Sequence, residues 1–321
     1  MPRTAQRILL AVTIATLASM LPSAISDSII TWYSAYSILF LGDPYKMIGP
    51  DKILFYNLPL IYPIHPGLLS LPLGFLSAAD FASAFVWISA FIFVLAATHK
   101  DWNLVPVIFS APFFVSAYQG QWTILASAGY LVPSLAIFFT AKPTLGLALF
   151  AANPSRRTII SAVGGGLLIA SIGMVMFPEW PIEWLKIVGS ARHQWIPIMH
   201  PAGLLTALAL FRWRRPEARM IFFLACVPQT MLWYDTLPLL LVARTFRESL
   251  ILSFVSWVPL AAQLRTGEFV PMNITQYVLY GFVPSLILVL LRPNVAPGEI
   301  RNAGPQVPAL LNRLAGLRRP L

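Results

Sequence analysis

The chain reads as an all-α polytopic membrane protein with about ten transmembrane helices. Three observations carry that reading. First, 58% of the 321 residues are hydrophobic and only 11% are charged, with a mean hydropathy of +0.73. So few charges cannot cover a soluble body of this size. Second, uninterrupted apolar runs recur at the length of roughly 17–25 residues that a bilayer crossing needs. A transmembrane barrel would alternate apolar and polar residues instead. Third, the basic residues cluster in alternate connecting segments, which orients a helical membrane protein.

Ten spans follow from the apolar runs, at about 8–25, 81–98, 103–118, 122–141, 158–177, 200–211, 219–234, 236–246, 249–264 and 276–291. With the N-terminus in the cytoplasm, the inner segments carry 16 of the 22 basic residues, among them Arg3, Arg7, Lys100, Arg212, Arg215, Arg219, Arg244 and Arg292. The net charge of +10 is then topological and calls for no nucleic acid. Eight of the 12 acids fall outside, Asp27, Asp43, Asp80, Glu179, Glu183 and Asp235 among them, as do His65, His193 and His200. Proton-exchanging groups therefore gather on the outer face. Residues 1–291 form one integral membrane domain, with an outer loop at 26–80, and 292–321 is a Pro- and Arg-rich cytoplasmic tail without regular structure. The expected location is a bacterial cytoplasmic membrane with both termini inside. The single cysteine, Cys226, lies in an apolar run and supports no disulfide or metal-site spacing.

Asp27 ends the first span, and intramembrane or boundary carboxylates default to a functional hypothesis. Its bland alternative is a helix cap, since an apolar helix follows it. Over 28–41, Trp32, Tyr33, Tyr36 and Phe40 recur at helical spacing with serines and Thr31 between them. This predicts a helix lying in the interface with its aromatic side in lipid. Gly42-Asp43-Pro44 stops it. The stretch 66–79 is too short and too rich in proline for a span, and reads as a second interfacial element. Trp180, Trp184 and Trp195 within 178–200 predict another, with Arg192-His193 at its end.

These motifs resemble a family. Asp27 after the first span, Trp32-Tyr33, Gly42-Asp43-Pro44-Tyr45, Tyr62-Pro63 and His65-Pro66, followed by Gly120-Gln121 and Lys142-Pro143, are similar in order to polyprenyl-phosphate-dependent glycosyltransferases of the GT-C fold. Within them the resemblance is to glycosyltransferase family 87, the bacterial α-mannosyltransferase-like group. It covers roughly residues 8–160. Two positions on from Gln121, where the family has Asn, this chain has Thr123. The resemblance implies a GT-C-like fold and transfer of a hexose, with mannose favoured, from a polyprenyl-phosphate sugar to a glycan or glycolipid acceptor at the outer face. It makes Asp27 the general base. Trp32, Tyr33, Tyr45, Lys46, His65, Gln121, Lys142, Arg192, His193 and Asp235 become candidates for binding substrate.

The residue chemistry fits those roles. A hydroxyl attacking an anomeric carbon needs a carboxylate within reach. A leaving phosphate needs cations or donors. The aromatics could stack on sugar faces, although an interfacial belt is their commoner use. Lys46 and Arg192 could equally meet lipid phosphates. Gln121 could cap its helix, and Asp235, beside Trp233 and Tyr234, could do the same. No phosphate loop, dinucleotide fingerprint or Asp-x-Asp pair is present, so neither a nucleotide-sugar donor nor a resident cofactor or metal is indicated. Asp27 and Asp43 could both approach an ion, which keeps a divalent metal open. The rival readings are a transporter or flippase of lipid-linked sugars and a non-catalytic carrier-binding subunit. The side of the membrane on which Lys142 lies stays open: one crossing from Gln121 puts it inside, while breaks at Pro133 and Pro143 could keep it outside.

Overall fold

The computed structural model describes residues 3–21, 27–57, 59–190, 195–266 and 272–293. It is 76% helical, and among the described residues three helical runs are long and apolar enough to cross a membrane: Ala78–Ala97, Arg156–Met176 and Ile274–Leu291. The tail expected over 292–321 lies almost wholly outside the described residues.

Helix α1 (Arg3–Ser19) runs along the central α5 (Ala78–Ala97). Ala11, Ala15 and Ala18 are buried, so small side chains let the two helices approach closely. Helix α5 has 20 residues and is therefore about 30 Å long at 1.5 Å per residue. Its first turn is capped by Ser77, whose hydroxyl accepts from the Asp80 amide. At its far end Arg7 donates to the Leu95 carbonyl at 2.9 Å, and Arg3 to the Lys100 carbonyl at 2.6 Å. The same basic end gathers Arg212, Arg219, Arg244 and Arg292. Arg244 donates to Glu217 and Arg292 to Glu248, both at 2.6 Å.

The 27–79 segment is a packed unit at the opposite end. Helix α2 (Asp27–Tyr36) continues through one wide turn, Ser37–Leu41, and stops at Gly42, whose φ of +107° suits glycine. Its predicted amphipathicity holds in an instructive form. Ser28, Thr31, Ser34 and Ser37 are the buried face, while Phe40 is 52% exposed and Trp32, Tyr33 and Tyr36 are half-buried. Small polar residues face the protein because glycines meet them. A Cβ on Gly67 would stand 2.3 Å from Ser34 Oγ, and one on Gly74 3.2 Å from Ala35 Cβ. The aromatic side stacks on itself, Trp32 on Tyr36 at 5.2 Å and Tyr36 on Phe40 at 4.9 Å.

A short helix α3 (Pro44–Met47) follows, then two parallel two-residue strands, β1 (Ile48–Gly49) and β2 (Leu54–Phe55). The 66–79 stretch folds as α4 (His65–Leu69) and a single 3-10 turn, Leu71–Leu73, before α5 begins, and neither piece has the length of a span. Ile30, Ile38, Tyr45, Ile48, Leu60, Tyr62 and Ile64 form this unit's own core together with Trp180.

The span expected at 122–141 is instead a broken hairpin. After α6 (Ala111–Tyr118), helix α7 (Thr123–Leu131) advances nine residues, about 13 Å. Val132 turns to an extended backbone and Pro133, which has no amide donor, begins a nine-residue 3-10 limb, Pro133–Ala141. The limb returns to its origin, since Lys142 Nζ donates to Thr123 Oγ1 at 3.4 Å. Neither limb is long enough to cross, and irregular backbone at such depth survives only when buried in protein. Lys142 therefore lies at the same end as Gln121. The expected run 103–118 is likewise divided, by a 3-10 segment Val105–Phe109 ahead of α6.

Helix α8 (Pro143–Ala152), the long helix α9 (Arg156–Met176) and α10 (Trp180–Ser190) come next. The run at 200–211 is a 3-10 helix, Pro201–Arg212. Then follow α11 (Pro216–Cys226), a 3-10 turn Trp233–Thr236, α12 (Phe246–Thr266) with Pro259 inside it, and α13 (Ile274–Leu291).

Gly120 joins two of these units. Its φ is +59°, and a Cβ there would stand 2.5 Å from Ser28 Cβ. Gly120→Ala combines a left-handed backbone cost of roughly 1–2 kcal/mol with a clash against α2. It should lower the thermal unfolding midpoint and loosen the first turn of α2, read as faster hydrogen exchange over residues 27–31.

Candidate functional site

A cavity of about 100 Å³ opens at the acidic end, lined by Asp27, Tyr62, Lys142, Trp184, Thr230 and Asp235 among others. Each wall is placed by a feature already described. Asp27 opens α2 and is held against the α6–α7 turn by the Gly120 contact. Tyr62 is fixed in the 27–79 core, where Tyr45 Oη donates to its carbonyl at 2.9 Å. Lys142 is returned by the broken hairpin. Asp235 stands in the 3-10 turn after the segment that holds Met231, which has φ +59° and is 2% exposed. Such buried backbone strain in a non-glycine residue often accompanies functional sites.

Asp27, the first residue of α2, is tied to two other segments. Its Oδ2 accepts from Tyr62 Oη at 3.2 Å and from Gln121 Nε2. Oδ1 has no partner among the described residues, so one oxygen is clamped and the other is available. Burial, and then the Asp27 charge, push the Tyr62 hydroxyl pKa far up, so it remains a donor. The amide of Gln121 is oriented by its bond to Asp27, and its buried Oε1 is left without a partner among the described residues.

Across the cavity, Lys142 Nζ stands 2.5 Å from Asp235 Oδ1, and the two side chains are 10% and 4% exposed. Lys142 also lies 4.3 Å over the Tyr234 ring. Thr230 donates to Asp235 Oδ2 at 2.9 Å. This is a buried, hydrogen-bonded ion pair, the only form in which such charges are tolerable away from water. Helix α10 supplies the outer wall with Trp184, whose indole donates to the Ile61 carbonyl at 3.0 Å. On the surface, Lys46 of α3 ties this helix down through Glu179, just ahead of it, at 3.3 Å and through Glu183 at 4.0 Å.

The candidates thus divide. Asp27, Lys142 and Asp235 line the cavity, and Gln121 stands behind it, joined to Asp27 by its amide. Trp32, Tyr33, Tyr45, Lys46 and His65 do not line the cavity. The Trp32 indole donates to the Leu76 carbonyl at 3.0 Å, Tyr33 packs against the 27–79 core, and Lys46 is an exposed tether. Arg192 and His193 lie outside the described residues. Asp43 caps α3 by accepting from the Tyr45 amide at 2.9 Å, and among the described residues no group of three or more metal-binding side chains occurs. Tyr62, Thr230 and Tyr234 also line the cavity, and the sequence does not mark them as site residues. Only the Tyr62-Pro63 motif hinted at the first.

His65 is 9% exposed, with Nε2 3.2 Å from the Gly166 carbonyl and its ring against Trp180. It joins α4 to the glycines of α9. Burial, the larger influence, lowers its pKa, and the Gly166 contact partly opposes this. A depressed folded value means that the unfolded chain takes up the proton first. Stability is then intact above the ordinary histidine value of about 6.5 and falls as pH drops below it. The unfolding midpoint should fall on acidification through that range, and His65→Gln should flatten the acid limb.

No protein-family model, no curated protein and no solved structure matches this chain.

Proposed function

We propose that the chain is a GT-C-like membrane glycosyltransferase of about ten spans that moves a hexose from a polyprenyl-phosphate carrier to a hydroxyl acceptor. The observation that carries this reading is the half-clamped Asp27 carboxylate sharing one cavity with the buried Lys142–Asp235 pair. The acceptor hydroxyl attacks the anomeric carbon while its proton passes to Asp27 Oδ1. The bond from that carbon to the phosphate oxygen breaks, and the carrier leaves as a phosphate dianion. Lys142 is the cation placed to meet that charge, and the orphaned Gln121 Oε1 is an acceptor for a sugar hydroxyl. Tyr62 and Gln121 keep the base oriented, which is where proximity effects arise. About 100 Å³ is well below the roughly 300–1,000 Å³ of ligand pockets, so a donor enters by displacing a wall. Helix α10, fastened to α3 by exposed ion pairs, is the wall best able to yield.

A second reading has its own support. Broken helices near a charged pair are also a transporter's architecture, so the α7 hairpin favours a flippase of the same lipid-linked sugar. Purified protein supplied with labelled polyprenyl-phosphate mannose and a membrane glycan acceptor mixture separates the two. The enzyme reading expects labelled glycan from this donor and none from a nucleotide sugar. Binding of the carrier without transfer, together with carrier movement across liposomes, would replace it with the flippase.

A further inference from the structure

A second cavity lies at the basic end, beside Ala96 and Ala97 at the C-terminal end of α5. It measures about 270 Å³ and is lined by His99, Lys100, Asn103 and Arg244, with Leu104 and Leu131 as apolar walls. Three separate segments line it, 96–104, Leu131 and 243–244. Arg3 fixes the Lys100 backbone by donating to its carbonyl at 2.6 Å. Asn103 Nδ2 ties the 101–104 turn to the Arg244 carbonyl at 2.9 Å. Leu131 is the tip of the broken hairpin. The wall is a constructed one, and no residue of the Asp27 site belongs to it.

Its charge is unbalanced. Lys100 has no acidic partner among the described residues. Arg244 is 49% exposed and spends Nε and Nη2 on Glu217 Oε1 at 2.8 and 2.6 Å, leaving Nη1 unpaired among the described residues. Asp101 is the one acid in the lining, and its Oδ1 already accepts from the Asn103 amide at 2.8 Å. The other acids of this end, Glu217 and Glu248, are taken by Arg244 and Arg292. Glu217 offsets Arg244 and Asp101 offsets one further charge, so the surplus at this end is carried by Lys100 with Arg3 and Arg7 beside it, none of which has an acidic partner among the described residues, and over an apolar floor it suits a phosphoryl group carried on an acyl chain. Basic pockets between membrane helices recognise anionic headgroups in this way.

We infer that this pocket binds the phosphoryl headgroup of an anionic lipid. The test is native mass spectrometry of the full-length protein in detergent, titrated separately with phosphatidylglycerol, phosphatidylcholine and inorganic phosphate. Lys100→Gln, an exposed position with no side-chain bond to lose, is compared with Lys186→Gln, an exposed lysine on α10 at the other end. Phosphatidylglycerol should be retained over phosphatidylcholine. Lys100→Gln should cut that retention about five-fold, the weight of one charge beside an anionic surface, and Lys186→Gln should leave it unchanged. Equal retention of the two lipids, or equal loss in the two variants, would overturn the site. Displacement of phosphatidylglycerol by an equal concentration of inorganic phosphate would overturn the lipid as its source.

Discussion

Asp27→Asn should lower the rate of sugar transfer by about 10²–10⁴-fold, the range that a positioned general base contributes, while carrier binding stays near wild type. The substitution is nearly isosteric, and an amide oxygen turned toward Tyr62 Oη and Gln121 Nε2 keeps both donors satisfied. What is lost is the second oxygen as a proton acceptor, because the amide nitrogen now stands in the Oδ1 position. The loss should therefore fall on kcat rather than on the dissociation constant of the carrier. Tyr62→Phe should cost much less. It removes one of two clamps and leaves the carboxylate and Gln121 in place.

Lys142→Met should be the most destabilising single change in the site, by about 3–5 kcal/mol, because it strands the Asp235 charge in a buried wall. Thr230 alone would remain on that carboxylate, at 2.9 Å. The unfolding midpoint in detergent should drop sharply. In Lys142→Met/Asp235→Leu much of the loss should return, since no unpaired charge is left. The double variant should nonetheless transfer no sugar, having lost the cation that faces the leaving phosphate. A small loss in the single variant would mean that water reaches the pair and that the cavity is open rather than closed.

The sequence discloses these two parts of the site unequally, for physical reasons. Asp27 is legible because a carboxylate closing an apolar run stands out against its surroundings, whereas Gln121 is marked only by the Gly120-Gln121 motif of the resemblance. The Lys142–Asp235 pairing is not legible, because 93 positions separate the partners and nothing local records their contact. The side of Lys142 was open for a related reason. Hydropathy averaged over 122–141 reads one span, whereas Val132 and Pro133 break it into two limbs, and the energetic weight of that break lies in two dihedrals and a missing amide. Tyr62 reads as one more interfacial tyrosine in a proline-rich loop, and only the 27–79 core turns it toward Asp27. Trp32 and Tyr33 show the opposite case. Their helical spacing is plain in the sequence, but the buried serines of the same helix decide which face turns inward, and the aromatics are left half-buried. His65 is marked by its motif, while its contact with Gly166 of α9 is purely tertiary.

The measurement that bears most directly on Asp27 as the base is single-turnover transfer of labelled hexose from polyprenyl phosphate by Asp27→Ala, with and without formate. The cavity has room for a small carboxylate where the side chain is removed. The expected result is an inert variant that formate, and not chloride, partly restores. Transfer at the wild-type rate without formate, or a donor-bound variant that formate leaves inert, would contradict the role assigned to Asp27.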